Sequence, residues 1–428
     1  MTVHAIPDHV AVVGGGMSGL ATAWYLQERG VTVTVLERTE VAAGSSWGNA
    51  GWLAPALTLP LSEPSVLTYG LKAMLDPMSP LYVPLTMDRQ LLRFLTGFAR
   101  HCTPGKWREA MAAFTEVNEV GLEAYDELQA GHSDEGGTPH GAVEEPTRPA
   151  QPFLAAFAST RDRQGLVHEF DGVQRAGGKV DYEMLTGDQV RAFEPTLTEG
   201  VTAGVAIHGQ RYINPPRYMA SLAESVRARG GTIVEGIDVS DVRRAGQGVE
   251  VRDGGGQVVL RADHAVLATG AWLGGIASRF GVRQVVQAGR GYSFTVVPER
   301  MPTHPIYFPT QRVACTPLGD RFRVAGMMEF RDADAPFDPR RIRAIIGAVR
   351  SMYRGIDWED REEEWVGSRP CTPDGLPLIG RTRDERISVA GGHGMWGVAL
   401  GPLTGKMLAA ELTGGHVPAV MRHFDPLR

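Results

Sequence analysis

The clearest chemical signal in the sequence is a glycine motif near its start. Gly14, Gly16 and Gly19 form G-x-G-x-x-G between an apolar β-branched run and a stretch with helical periodicity. This spacing predicts a strand–turn–helix unit whose free N–H groups at the helix start bind a pyrophosphate. A second predicted strand, Val31–Leu36, delivers Glu37 about 20 residues further on, where a carboxylate accepts hydrogen bonds from a ribose diol. Together these features predict a dinucleotide site.

A second motif, Gly44–Gly48, reads G-x-S-x-G and matches the nucleophile elbow of hydrolases. An elbow needs a strand before its serine and a helix after it. Because Asn49 and Gly51 oppose a helix, we interpret the segment as a loop at the carboxyl end of the second strand, where ligands of doubly wound sheets lie. The hydroxyls of Ser45 and Ser46 would then face the bound nucleotide.

Gly392–Gly397 repeats the glycine pattern near the end of the sequence, between a predicted strand, Ile387–Ala390, and a predicted helix, Pro402–Leu412. A second dinucleotide site would require another strand carrying an acid about 20 residues on, and the residues near Val417 offer none. We therefore predict one dinucleotide site, and expect the N-terminus of this last helix to face an electron-rich group.

Composition indicates a globular protein with one or two sizeable cores. The 428 residues are 43% hydrophobic and 21% charged, and the net charge of −6 opposes nucleic-acid binding. Cys102, Cys315 and Cys371 are isolated, so we expect neither a disulfide framework nor a metal site. We expect no cleaved signal peptide and no membrane span, which places the protein in the cytoplasm with at most peripheral contact with the inner face of the cell membrane.

The remaining pattern predicts an α/β protein of two domains. One is a Rossmann-like domain with a parallel sheet flanked by helices, and the other is a substrate domain built on a mostly antiparallel sheet. The first is assigned residues 1–55, 205–283 and 366–428, and the second residues 56–204 and 284–365.

Two segments of the second domain allow different interpretations. The apolar stripe Leu91–Phe98 is typical of the core-facing side of a surface helix, although the arginines beside it also fit a membrane surface. Gly131–Gln151 is rich in glycine, proline and charge, and is predicted to be a long exposed loop.

Five further segments follow the first glycine motif along the chain, namely Asn49–Gly51, Arg290–Ser293, Arg323–Met327, Ser368–Gly375 and Gly392–Gly394. In these segments and their order the sequence resembles the D-amino-acid oxidase superfamily of flavoproteins, and most of all bacterial D-amino-acid dehydrogenases of the small-subunit type. Glycine oxidase and sarcosine oxidase are similar at a greater distance. The resemblance covers nearly the whole chain, while Gly131–Gln151 looks like an insertion.

The resemblance implies FAD, bound non-covalently because Cys371 is offset from the cysteine that carries covalent flavin in sarcosine oxidases. A helix start at the pyrimidine end of the flavin would stabilise the negative charge of the reduced ring. The residues predicted to contact FAD are Gly14, Gly16, Met17, Ser18, Gly19, Glu37, Arg38, Ser45, Ser46, Asn49, Ala50, Gly51, Val239, Gly270, Trp272, Gly394, Gly397, Val398 and Ala399.

Three residues are predicted to serve catalysis. Arg369 matches the arginine that binds the substrate carboxylate in the family, a role that suits a planar fork of donors. Tyr292 is either an active-site hydroxyl or a core residue. His393 is either a general base or, in the favoured interpretation, a hydrogen-bond partner of the flavin ring. Met395 replaces a second arginine of glycine oxidase, which implies a less cationic pocket.

The implied reaction is oxidative deamination of a D-amino acid by hydride transfer to flavin N5, giving a 2-oxo acid and ammonia. The alternatives are an oxidase of glycine-like or sarcosine-like amines, an FAD-dependent 2-hydroxy acid dehydrogenase, which needs a base for the hydroxyl proton, and modification of a tRNA base, which the acidic charge opposes. The electron acceptor is a quinone, a redox protein or oxygen. Arg211 and Tyr212 depart from the dehydrogenases and are predicted to shape specificity.

Overall fold

The computed structural model describes residues 6–66, 79–84, 86–131 and 141–428. The helices are α1 Met17–Gln27, α2 Arg89–His101, α3 Pro104–Ala130, α4 Thr160–Arg175, α5 Gly187–Phe193, α6 Pro215–Ala228, α7 Leu273–Ala277, α8 Pro339–Val349 and α9 Gly397–Leu412. The strands are β1 His9–Val13, β2 Thr32–Leu36, β3 Trp52–Leu53, β4 Leu81–Tyr82, β5 Arg148–Ala150, β6 Phe153–Phe157, β7 Tyr182–Thr186, β8 Ala203–Ile207, β9 Gln210–Tyr212, β10 Thr232–Val234, β11 Val239–Ala245, β12 Gly248–Asp253, β13 Val258–Ala262, β14 His264–Leu267, β15 Gln287–Val296, β16 Ile306–Phe308, β17 Val313–Pro317, β18 Phe322–Phe330, β19 Arg361–Cys371, β20 Leu378–Arg381 and β21 Ile387–Gly391.

A six-stranded sheet with the order β10–β2–β1–β14–β21–β20 carries the predicted dinucleotide unit. All its neighbours are parallel except β20 and β21. Val10–Val13 of β1 are all buried, which explains why these four successive positions are apolar. The predicted strand–helix–strand unit and the α/β fold class are confirmed.

Helix α1 and helix α9 pack against each other at the level of their backbones. A Cβ atom at Gly405 of α9 would lie 2.5 Å from the carbonyl carbon of Ala21, so only glycine permits this approach. Helix α3 covers the pair, and the hydroxyl of Tyr125 donates a hydrogen bond of 2.6 Å to the carbonyl oxygen of Val398. The helix that follows the second glycine pattern is thereby fixed to the helix that follows the first.

A second sheet, with the order β19–β15–β18–β17–β16–β6–β8–β7 and β4 beside β18, is mostly antiparallel, as predicted. Only the pairs β16/β6 and β18/β4 are parallel. The six-stranded sheet draws its strands from the three segments assigned to the first domain, whereas β8 and β19 of the second sheet cross the boundaries at residues 204 and 365. The division into domains stays a prediction.

The part of the predicted loop Gly131–Gln151 that the structure describes is not wholly an exposed loop. Residues 132–140 lie outside the described residues. Strand β5 pairs with β9, and Val143 and Ala150 are almost completely buried. The prediction was wrong for these residues because glycine, proline and charge dominate the local composition, whereas the two apolar side chains are buried by tertiary contacts.

Helix α2 presents its apolar stripe to the interior, which confirms that interpretation. Leu91, Phe94 and Phe98 are buried, and the ring centroid of Phe94 lies 5.1 Å from that of Phe330 on β18. Among the described residues, no helix is long and apolar enough to cross a membrane.

Gly405→Ala should destabilise the protein by about 1–3 kcal/mol, since the added methyl group separates α1 from α9. The matched control is Gly347→Ala on α8, where an added Cβ would meet no atom within 4 Å and alanine is the better helix former. Thermal unfolding of both variants and the parent chain measures the difference. Equal melting temperatures for Gly405→Ala and the parent would contradict the close-packing assignment.

Candidate active site

A cavity of about 580 Å³ lies at the carboxyl edge of the parallel sheet. Its walls include the residues at or after the ends of four parallel strands, namely Val13, Leu36, Ala268 and Gly391. Ligands of open α/β sheets bind at this edge because the loops that leave it can surround them. We call this space the first cavity.

Most of the residues predicted to bind FAD lie on the first cavity. Those that line it are Gly14, Gly16, Met17, Ser18, Glu37, Arg38, Ser45, Ser46, Asn49, Val239, Gly270, Trp272, Gly394, Gly397 and Val398, together with Arg369 and His393. Gly19, Ala50, Gly51 and Ala399 are not among its lining residues. A Cβ at Gly19 would lie 1.9 Å from the carbonyl oxygen of Gly14, so Gly19 serves the packing of α1.

Two helices begin at the first cavity. Helix α1 follows Gly16 and helix α9 follows Trp396, and neither residue caps its helix through its side chain. At the start of α1 the N–H of Met17 donates to the hydroxyl oxygen of Ser46 at 3.2 Å. The remaining N–H groups of the first turns and the helix dipoles face the cavity at two places, as an anionic ligand requires. The hydroxyl of Thr269, which also lines the cavity, is buried without a hydrogen-bond partner in the described part of the chain. These features fit FAD.

The Glu37 carboxylate is held in place by backbone donors. The N–H of Gly15 donates to Oε2 at 2.7 Å, and the N–H of Thr39 donates to Oε1 at 3.1 Å. Each oxygen retains acceptor capacity for a ribose hydroxyl. Arg38 stacks on Trp272, with its guanidinium carbon 4.1 Å from a ring centroid, so both side chains form part of the same wall.

A second cavity, of about 440 Å³, shares Ser45, Asn49, Arg369 and Met395 with the first. Apolar and aromatic side chains make most of its wall. The aromatic residues of this wall include Trp52, Tyr307, Trp365 and Trp396. Charged residues also line it, namely Glu63, Glu169 and Arg312.

Sequence reasoning missed the second cavity. Its walls come from segments far apart in the chain, including α2, α4 and β16, and no local motif connects them. Arg211 and Tyr212, predicted to shape specificity, lie on β9 and are not among the residues that line it. Arg211 instead forms an ion pair with Asp126.

Arg369 lies at the junction of the two cavities. It is largely buried, and one Nη1–H donates to the carbonyl oxygen of Met327 at 2.8 Å. No carboxylate in the described residues forms an ion pair with it, and burial lowers the pKa of its guanidinium. A buried positive charge without a counter-ion is costly, so this position is suited to an anionic ligand.

The hydroxyl of Tyr292 belongs to a buried ionic cluster. It donates to Oε2 of Glu329 at 2.7 Å, and Arg290 and Arg341 bind the same carboxylate at 3.2 and 3.1 Å. Burial and the charge of Glu329 raise the pKa of Tyr292. Its ring lines the second cavity, but its hydroxyl already has a structural partner.

His393 is buried, and its Nε2 lies 2.8 Å from the hydroxyl oxygen of Thr404. Because that hydroxyl donates to the carbonyl oxygen of Leu400, we assign the imidazole proton to Nε2, which leaves Nδ1 as an acceptor. Burial lowers the pKa of His393 to about 4, so the ring is neutral at neutral pH and a weak base. The geometry favours a hydrogen-bonding role over that of a general base.

Cys371 is buried next to Gly289 and is not itself among the residues that line either cavity. Burial raises the pKa of its thiol to about 12. An unreactive thiol in this position agrees with the expectation of non-covalent FAD.

Gly16→Ala should fold normally and lose FAD. Gly16 has φ −80°, which alanine adopts, and an added Cβ would meet only Ser46 Oγ, at 3.5 Å, yet it would occupy the space of the pyrophosphate. Loss of charge-assisted hydrogen bonds worth about 1.5–3 kcal/mol would weaken binding by about tenfold or more. Flavin absorbance per mole of protein measures bound FAD, and far-ultraviolet circular dichroism measures folding. The control is Gly254→Ala, in an exposed hairpin; full flavin content in Gly16→Ala would contradict the assignment.

Comparison with known proteins identifies the family. The profile of the family described as FAD dependent oxidoreductase (DAO) matches residues 9–411. A curated relative, the D-amino acid dehydrogenase of Cereibacter sphaeroides, is 30% identical over 423 residues, which are 96% of this chain and 93% of the relative. The fold is similar to those of glycine oxidase from Geobacillus kaustophilus (22% identity, TM-score 0.71, 99% of this chain and 98% of that one) and L-proline dehydrogenase from P. horikoshii (16%, 0.69, 98% and 97%). The chain therefore belongs to the DAO family of FAD-dependent oxidoreductases.

Proposed function

We propose that this protein catalyses the FAD-dependent oxidative deamination of D-amino acids, in which loss of a hydride from the α-carbon gives a 2-imino acid that water hydrolyses to a 2-oxo acid and ammonia. The observation that carries the proposal is the buried guanidinium of Arg369, which lacks a carboxylate partner among the described residues and borders both cavities. A relative named D-amino acid dehydrogenase, similar over almost its whole length, supports this substrate class.

The strand pair β15/β19 provides the space in which Arg369 binds a carboxylate. Arg369 lies opposite Gly289, and Gly291 lies opposite Gly367, on the same face of the sheet. A Cβ at Gly291 would lie 2.1 Å from Nη2 of Arg369, so the guanidinium rests on a strand without a side chain. The N–H groups of Arg369 that are not hydrogen-bonded to Met327 can bind both oxygens of a substrate carboxylate. This contact would orient the α-carbon of the substrate.

When bound, FAD supplies the two-electron acceptor for the α-carbon hydrogen. Glu37 and the start of α1 would hold its adenosine and pyrophosphate, and the start of α9 would stabilise negative charge at the other end. A neutral amine needs no protein base to release a hydride, in agreement with the low pKa of His393. A 2-hydroxy acid does need a base for its hydroxyl proton, so the geometry favours the amine.

The size of the second cavity favours amino acids with a large side chain over small amines such as glycine and sarcosine. Glycine and sarcosine have no side chain beyond the α-carbon, whereas this space of about 440 Å³ is lined by aromatic residues and opens beside Arg369. Such a volume suits an amino acid with a large side chain.

The electron acceptor is tested by reoxidation. We keep three candidates, a quinone, a redox protein and oxygen, together with a cytoplasmic location and at most peripheral membrane contact. Protein reduced anaerobically by substrate is mixed with oxygen or with a water-soluble quinone, and the return of flavin absorbance is timed. Fast return with oxygen indicates an oxidase, and fast return with quinone alone indicates a dehydrogenase.

An anaerobic substrate panel tests the proposed function directly. D-amino acids, N-methyl glycines and 2-hydroxy acids are mixed separately with the holoprotein, and loss of flavin absorbance is recorded. D-amino acids should reduce the flavin fastest. Reduction by hydroxy acids alone would contradict the proposal.

Arg369→Ala and Gly291→Ala should both raise KM for a D-amino acid by about ten- to a hundredfold, because a hydrogen-bonded charge contributes about 1.5–3 kcal/mol. The first removes the guanidinium, and the second displaces it. Both should retain FAD. Steady-state kinetics and flavin content measure these effects, with Gly347→Ala on the exposed face of α8 as control. An unchanged KM in both variants would refute the carboxylate assignment.

A further inference from the structure

The second cavity contains a group of charges that the proposed reaction does not use. Glu63 precedes the first gap in the described residues, Glu169 lies on α4, and Arg312 lies between β16 and β17. All three line the cavity that begins at Arg369. A carboxylate in a mostly apolar wall is costly unless a partner, a bound cation or a proton compensates its charge.

The charges of this group do not balance. Two carboxylates face one guanidinium, and Glu169 forms no hydrogen bond or ion pair with the described residues. Burial, and then the charge of Glu63, raise the pKa of Glu169 to about 7, while the charge of Arg312 opposes the rise. Near neutral pH a proton on Glu169 therefore relieves the excess negative charge. A cation at this place would do the same.

We propose that the second cavity selects amino acids whose side chain ends in a cation, with Glu169 and Glu63 as the groups that receive it. The inference rests on the proposed function, since it places the substrate carboxylate at Arg369 and the side chain in the second cavity. The substrates of this class are basic D-amino acids, which carry an ammonium or a guanidinium at the end of a methylene chain.

The rest of the wall suits such a side chain. Trp52 and Tyr307 form an edge-to-face pair with ring centroids 5.4 Å apart, and Trp365 and Trp396 line the same space. Aromatic and apolar surfaces bury a methylene chain, and aromatic faces also attract a cation. Met395, which lines both cavities, is uncharged and does not repel a cation.

A matched substrate pair tests the proposal. D-Lysine and D-norleucine differ only in the terminal ammonium, so the ratio of their kcat/KM values isolates its recognition. The parent holoenzyme should prefer D-lysine by about tenfold or more, as expected for a charge-assisted contact. Glu169→Gln should lower this ratio by about tenfold, and Glu63→Gln should lower it as well. Glu116→Gln, on the exposed surface of α3, should leave the ratio unchanged.

The pH dependence of the parent enzyme provides an independent measurement that needs no variant. A cation binds the ionised form of Glu169, so the D-lysine to D-norleucine ratio should rise as the pH increases through about 7. Ionisation of the substrate carboxylate and α-amine affects the rates with both substrates in the same way. These effects therefore cancel to first order in the ratio.

The outcomes separate this inference from the proposed function. If D-norleucine reduces the flavin at least as fast as D-lysine, and neither Glu169→Gln nor pH changes the ratio, the cation site is refuted while amino acid oxidation stands. If neither amino acid reduces the flavin, the proposed function itself fails.

Discussion

The burial of one guanidinium is the constraint on which the structure of the site depends. Arg369 keeps its charge in a largely buried position without a carboxylate partner among the described residues, and its Nη1–H donates to the carbonyl oxygen of Met327. Strand β15 accommodates it only because Gly291 has no side chain. In the neighbouring cluster, Glu329 of β18 binds Tyr292 and Arg290 of β15 and Arg341 of α8.

The first cavity is suited to the cofactor and the second to the side chain of a substrate, and Arg369 lines both. On the first cavity, two helix starts and a carboxylate held by backbone N–H groups meet the needs of an anionic dinucleotide with ribose hydroxyls. On the second, aromatic walls and a small group of charges would contact the side chain of the proposed substrate. A substrate whose carboxylate is bound by Arg369 would therefore direct its α-carbon towards the cofactor and its side chain into the second cavity.

The roles of the histidine and the tyrosine follow from their surroundings rather than from their chemical type. His393 has the pKa of a weak base because it is buried, and its Nε2 is engaged by Thr404. The hydroxyl of Tyr292 is committed to Glu329. Both residues lie on the cavities, yet positioning and electrostatics, rather than proton transfer by these groups, fit the oxidation of a neutral amine.

The sequence alone determined the dinucleotide half of the site, since its recognition depends on residues close together in the chain. Gly14, Gly16 and Glu37 belong to one strand–helix–strand unit, whose geometry follows from local periodicity and glycine spacing. Only the tertiary structure decided the second cavity. Glu63, Glu169 and Arg312 come from unrelated segments that give no local signal, and they meet because the antiparallel sheet and helices α2 and α4 pack around one space. The repulsion between the two carboxylates depends on the distance between them and on their burial. Neither quantity can be read from the spacing of these residues in the sequence.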